Sequence, residues 1–548
     1  MRDWNTKGRD RQARLEAGRR LATGKTVAAQ DLVAFLEAIL RPGDRVCLEG
    51  DNQKQADLLA KALAKVDPAK VNGLHMVQSG VVLPEHLDIF ETGIARRLDF
   101  SYSGPQSARI ARMMFGGQIE LGAVHTYLEL FARYFIDLTP QVALIAAVSA
   151  DKAGNLYTGP NTEDTPTVVE ATSFGKGLVV AQVGEIVDQV PRVDIPADQV
   201  HFVVDAGRPF YVEPLFTRDP AAITETQILT AMLAIKGLYA PYGVRRLNHG
   251  IGFNTAAIEL LLPTYGERLG LKGKVCTHWA LNPHPTLIPA IESGWVEQIH
   301  CFGSEVGMED YMRARPDIFF TGPDGSLRSN RAFCQTAGLY ACDMFIGSTL
   351  QIDLAGNSST VTGGRVAGFG GAPNMGSDAR GRRHPSAPWL RAGQEADPDG
   401  PPPLRRGRKL VVQIGETFGD GNAPMFVERL GALELADKLD LDLAPVMVYG
   451  DDVTHIVTEE GIANLLLCRD KDEREQAIRG VAGYTEVGRA RDRAMVERLR
   501  ERKVIQRPED LGIDPLDADR ALLVAHSIKD LMIASGGLYR PPSRFRNW

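Results

Sequence analysis

Apolar positions along this chain follow two patterns. One recurs every three to four residues, as in 31–40 (Leu32, Val33, Phe35, Leu36, Ile39, Leu40), and predicts a helix stopped by Pro42 and Gly43. The other is an unbroken apolar run bounded by turn residues, at 141–149, 177–183 and 200–205. Such runs predict strands covered on both faces, hence a mostly parallel sheet. Around them, 45–50 reads as a strand, 51–55 as a polar turn and 56–66 as a helix that Asp51 or Asn52 could cap. A polar turn at the carboxyl end of a strand is where open α/β sheets bind ligands. An amphipathic helix is expected over 125–135, and 151–159 is turn-rich.

The alternation restarts after 219–226. A long helix begins near Thr224, a strand runs into Gly250-Ile-Gly252, and a helix opens at Asn254 or Thr255. Strands are expected at 274–280, 296–302, 316–320, 347–357 and 409–415, and 457–463 reads as a turn leading to a helix. The expected class is α/β, with two tandem α/β domains (41–222 and 223–480) built on mostly parallel sheets. A helical arm (1–40) precedes them and a helical extension (481–548) follows. An exposed insertion rich in Pro, Gly and Arg is expected over 380–408. No clear residue-level repeat links the two halves.

With 548 residues, 44% hydrophobic and 24% charged, the chain can bury more than one core. A net charge of -7 argues against nucleic acid or an anionic membrane as the main partner. Six cysteines without a Cys-x-x-Cys pair fit reduced thiols in a cytoplasm. No apolar run reaches membrane-spanning length, and residues 1–21 lack the apolar core of a signal peptide.

Candidate chemistry concentrates in 363–384, where seven of twenty-two residues are glycine. Glycine permits close backbone approach to a ligand, with successive N–H groups turned to one point, as an oxyanion hole requires. The same composition also suits an exposed loop. Gly250 and Gly252 ahead of Asn254 and Thr255 could form an anion site at a helix N-terminus, or a plain strand-to-helix turn. No nucleophile–His–Asp set or metal-ligand spacing is evident. His278, His284 and His455 read as packing or hydrogen-bonding residues, and Pro283 interrupts the first two.

An ordered set of segments resembles the family I CoA-transferases. These are Gly250-Ile-Gly252, the strand 350–357 (Leu-Gln-Ile-Asp-Leu-Ala-Gly-Asn), Gly370-Gly-Ala-Pro-Asn374 and 457–463 (Val-Thr-Glu-Glu-Gly-Ile-Ala). Residues 143–156 are similar to the family's early apolar strand and turn. Within that group, the run 370–384 is similar to the α-subunit family of malonate decarboxylase, with the citrate lyase α subunit as a functional relative. The resemblance implies a transferase that exchanges acetyl for malonyl on a carrier-protein thiol. Its cofactor arm would be phosphoribosyl-dephospho-CoA, held by the acyl carrier protein and not by this chain. Decarboxylase β and γ subunits, malonate and acetate are the other implied partners.

By the same resemblance, Gly370, Gly371 and Ala372 would supply the oxyanion hole, with Asn374 beside them where the family tends to have Asp. Gly250, Gly252, Asn254 and Thr255 would meet the carrier's arm. Ser304-Glu-Val-Gly307 is similar to the family's nucleophile turn and points to Glu305, which could equally be a capping or surface residue. Arg245, Arg246, Arg365 and Asn357 are candidates for substrate binding. Exchange of carboxylates needs no proton transfer, since the acids are anions near neutral pH. A transferase acting on free CoA esters and a non-catalytic scaffold for the carrier remain the rival readings.

Overall fold

The computed structural model describes residues 4–50, 54–159, 161–213, 218–301, 303, 305–320, 329–378, 386–399 and 407–546. Two sheets organise them. The first holds ten strands among the described residues, and its central strand is Val142–Asp151, flanked in parallel by Arg45–Leu48 and Leu178–Val187. Leu74–Gly80, Ala95–Tyr102 and Glu120–Val124 extend it on one side, and Phe202–Asp205 on the other. The unbroken run at its centre is explained by packing. Val142, Leu144 and Ala146 enter one core, while Ala143, Ile145 and Ala147 enter another on the opposite face.

The second sheet runs Gln298–Cys301, His278–Leu281, Arg246–His249, Met344–Gly347, Leu410–Ile414 and His455–Thr458, all parallel. Gly461–Asn464 and Ile505–Gln506 add antiparallel strands at its edge. The fold is α/β with mostly parallel sheets, as the apolar patterning predicts. The two halves are not insulated in space. Val361, Val366, Leu430, Leu435 and Val446 all pack into the core of the first sheet.

Several local expectations are corrected. Residues 457–463 form a β-hairpin with 455–464, not a turn into a helix, and Gly461 has Gln506 O within 2.4 Å of where a Cβ would stand. The tail beyond 481 contributes the strand Ile505–Gln506 as well as helices. Residues 316–320 make only a single bridge, Ile299 to Phe319. The strand expected over 347–357 is a two-residue pairing, Gln351–Ile352 with Ser358–Ser359; the long-range strand is Met344–Gly347 just before it.

In the described part of the insertion, 386–399 with 407–408, half of the positions of 386–399 are exposed and others are packed. Ala387–Ala396 is a helix whose Trp389 is buried, and residues 379–385 and 400–406 lie outside the described set. Asp51 and Asn52 also lie outside it; the helix Asp57–Leu63 has Ala56 at its N-cap, and Gln182 Oε1 accepts from the amides of Leu58 and Leu59. The N-terminal helix Trp4–Arg19 is anchored by Arg14, buried and bidentate on Asp44 at 2.5 and 2.9 Å.

The halves do share a motif. Asp151-Lys-Ala-Gly-Asn155 and Asp353-Leu-Ala-Gly-Asn357 fold into the same turn. In each, the aspartate accepts from backbone amides up to four residues on, and the asparagine Nδ2 donates back to it (2.8 and 2.9 Å). Each asparagine Oδ1 then accepts a remote amide, that of Ala197 or Gly450.

Candidate active site

A cavity of about 220 Å³ opens where the carboxyl ends of the second sheet's strands meet the first half. Three turns wall it: 248–251 after Arg246–His249, Asn282 and His284 after His278–Leu281, and Gly347–Ser348 after Met344–Gly347. Residues 367–372, Tyr102, Tyr127 and Gln335 complete the wall, and Arg218 reaches in from the segment joining the halves. The position follows from the fold: parallel strands end in loops on one side, and their carboxyl ends are the ligand side of an open sheet.

The glycine-rich segment is tighter than a loop. Val361–Thr362 pairs with Arg365–Val366, and Ala372–Met375 forms one helical turn. Between them the chain lies on the end of Ala95–Tyr102. Phe369 and Gly370 both donate to Ser101 O (2.7 and 2.9 Å), and Ser103 N donates to Ala367 O. Gly368 has φ +78°, and a Cβ there would stand 2.3 Å from Ser101 O. This glycine answers to the approach of another strand, not of a ligand.

The three proposed oxyanion donors therefore differ. Gly370 N–H is spent on Ser101, and Ala372 N–H donates to Phe369 O at 3.2 Å. Among the described residues nothing accepts from Gly371 N–H, and Gly371 lines the cavity. A Cβ at Gly371 would meet Gln335 Nε2 at 2.3 Å, so the side chain of Gln335 fixes this backbone in place. Asn374 is not on the cavity wall. It accepts from Thr126 Oγ1 and donates to Gln335 Oε1 at 3.3 Å, clamping the turn to the start of the helix Tyr127–Ile136.

Of the second group, Gly250 lines the cavity and Gly252 lines a small adjoining recess. The helix opens at Phe253, with Gly252 as N-cap. Thr255 turns inward and donates to Gly250 O and Gly252 O, so it braces the turn. Asn254 lines neither space; its buried Oδ1 has no partner among the described residues.

The remaining candidates lie elsewhere. Arg245 and Arg246 stand at the amino end of their strand, away from the cavity, beside Glu297 and Asp343. Arg365 is exposed on its hairpin, and Asn357 is consumed by the Asp353 turn. Glu305 is fully buried and does not line the cavity, and Ser304 lies outside the described residues. The Glu305 carboxylate and Tyr102 raise the pKa of Arg218, yet burial of Arg218 outweighs them and lowers it. The C-terminal segment closes over the Glu305 turn, with Arg540 N donating to Gly307 O at 2.9 Å.

Sequence reading missed a buried network beneath the cavity. Glu259, on the helix Phe253–Leu261, accepts from His249 Nδ1 at 2.9 Å, His284 Nδ1 at 3.0 Å and Thr286 Oγ1. Burial alone would raise this carboxyl, but the charge of His284 and the two histidine hydrogen bonds win and hold it at about 2. His249 is lowered by its own burial, and its Nε2 meets Tyr239 OH at 2.8 Å. The partners are 10 and 25 residues from Glu259 in sequence, a spacing with no helical or strand periodicity to reveal it.

The family described as malonate decarboxylase, alpha subunit, transporter matches residues 3–548 of this sequence. The chain belongs to the malonate decarboxylase α-subunit family. A relative from Malonomonas rubra, an acetyl-S-ACP:malonate ACP transferase, is 62% identical over 548 residues, covering 100% of this chain and 99% of its own. Among solved structures, a chain of a Pseudomonas malonate decarboxylase hetero-tetramer in complex with malonate is 60% identical, with TM-score 0.96, covering 100% of this chain and 99% of its own. The malonate decarboxylase α subunit of Acinetobacter baumannii is 55% identical, with TM-score 0.95 and full coverage of both chains. Beyond the α-subunit family the likeness is one of fold: a putative citrate lyase α subunit from Streptococcus mutans superposes with TM-score 0.59 at 14% identity, over 95% of this chain and 87% of its own.

Proposed function

We propose that this α-subunit family member exchanges acetyl for malonyl on the thiol of a carrier protein: acetyl-thioester plus malonate gives malonyl-thioester plus acetate. The observation that carries the reading is the 62% identity, over the full length, to a transferase of that name, coupled to a cavity lined by Gly371, whose N–H has no acceptor among the described residues. A malonate carboxylate attacks the acetyl carbonyl carbon, the C–S bond breaks, and the carrier thiolate leaves a mixed anhydride behind. The thiolate then attacks the malonyl carbonyl and acetate departs. Both steps pass through a tetrahedral oxyanion, which Gly371 N–H is placed to receive. Holding both reactants in one cavity supplies much of the remaining barrier reduction.

We favour direct attack by malonate over a covalent enzyme intermediate because Glu305 is fully buried and does not line the cavity. The thiol would belong to a phosphoribosyl-dephospho-CoA arm on the acyl carrier protein, entering beside Gly250 and Ile251. Decarboxylase β and γ subunits would act on the malonyl product. Among the described residues no helix is long and apolar enough to cross a membrane, and a cytoplasmic setting rests on the cysteine usage.

Mass spectrometry of acetylated carrier incubated with malonate and this chain alone tests the reading. A carrier heavier by one carboxyl group, with release of acetate, is expected. No conversion would leave the scaffold reading standing, and conversion of free acetyl-CoA at equal efficiency would favour the free-ester transferase.

A further inference from the structure

A dicarboxylate needs two receptors, and the exchange chemistry uses only one carboxylate. The polar end of the cavity offers a second. His284 is 7% exposed and lines the cavity; its Nδ1 is held by Glu259, and its Nε2 is buried without a partner among the described residues. Asn282, equally buried, also lines the cavity and leaves its Oδ1 unpartnered. Arg218, Ile251 and His284 wall both the cavity and the adjoining recess.

The hydrogen-bond inventory fixes the tautomer. An ionised Glu259 can only accept, so both histidines facing it must carry the proton on Nδ1. His249 is then complete, because its Nε2 accepts from Tyr239 OH. His284 is not: its Nε2 has no partner among the described residues, and a carboxylate can be received there only by an Nε2 that carries a proton.

We propose that His284, protonated at Nε2 and backed by Glu259, joins Arg218 in binding the non-reacting carboxylate of malonate. This assignment rests on the acyl-exchange reading above and names the residues that select a dicarboxylate. It makes His284 a specificity residue: no bond is made or broken at it.

Exchange of labelled acetate into the acetyl-thioester shares the chemistry but lacks the second carboxylate, so it serves as the internal control. The expected result for the wild-type chain is a malonate KM at least about tenfold below the acetate KM, because only malonate meets the second receptor. In His284→Gln the malonate KM should rise about tenfold or more, and by more than the acetate KM changes. A wild type whose malonate KM is no lower than its acetate KM overturns the assignment even if the variant does not fold. Equal loss of both reactions in a folded variant, or no change in either, overturns it too. A wild type that makes no malonyl-thioester overturns the function and this assignment together.

Discussion

The two halves carry the same Asp-x-Ala-Gly-Asn turn and the same kind of sheet, yet they treat a buried carboxylate in opposite ways. In the first half Glu49, just beyond the strand Arg45–Leu48, is closed off. It accepts from Ala146 N at 2.7 Å and from Thr165 Oγ1, and Lys54 Nζ lies 3.3 Å away with both side chains about 1% exposed. In the second half Glu259 is held by two histidines, one of which ends in the cavity wall. A cation placed directly on a carboxylate ends the chain of polarity. An imidazole passes it on, because the ring has a second nitrogen about as polar as the first. The same scaffold thus gives a sealed half and a half that presents chemistry to a ligand.

If that contrast is right, the two carboxylates should fail differently. Glu49→Gln removes the carboxylate 3.3 Å from the buried Lys54 Nζ and should lower stability by about 3–5 kcal/mol, read by chemical denaturation. Glu259→Gln should affect stability less and malonate use more; equal stability losses would erase the distinction. Next in size is Gly371→Ala. Its Cβ would strike Gln335 and misplace the Gly371 amide, so the transfer rate should fall about 10²-fold with the fold retained. A single-turnover assay with near-wild-type thermal unfolding would establish this, and an unchanged rate would remove Gly371 from the site.

The shared turn offers a smaller test. Asn155→Ala and Asn357→Ala each remove the acceptor of a part-buried backbone amide and a donor to the aspartate, and should cost about 1–3 kcal/mol each, in similar amounts. Neither should change the kinetics of acyl exchange. A selective kinetic defect in Asn357→Ala would return that residue to substrate binding.

The smallest effect is a pH dependence in the first half. Burial would lower His125, but Asp99 at 2.6 Å and Glu129 outweigh it and raise its pKa. A raised histidine stabilises the fold fully below its unfolded value near 6.5, and that contribution disappears as pH climbs through the folded value. Stability should therefore decline above neutrality, and His125→Asn should flatten the decline without touching acyl exchange.

What was legible in the chain follows from where the information is local. The unbroken runs at 141–149 and 177–183 declared strands buried on both faces, because that requirement acts on every residue of the strand. A helix start near Thr224 was legible, and the structure shows a capping box there between Thr224 and Gln227. The glycine-rich turn was legible as a place of close approach, but not the identity of what approaches. Much of it is Ser101 of the first half, and only contact across more than 250 residues reveals that. Arg218, Asn282 and His284 carry no local signature for the same reason. The Asp-x-Ala-Gly-Asn repeat was present in the letters, yet five residues separated by two hundred are recognisable only when the hydrogen bonds match. Arg245 and Arg246 were attractive as cations near a glycine turn, but their strand places them at its far end.

The account turns on where a thioester oxygen sits. A crystal structure of this chain with a non-hydrolysable acetyl-thioester analogue bound would locate it. The carbonyl oxygen should lie about 2.7–3.1 Å from Gly371 N, with the acyl carbon open toward the Arg218–His284 end of the cavity. A carbonyl pointing away from residue 371, or an acyl group lodged against Glu305, would contradict the account.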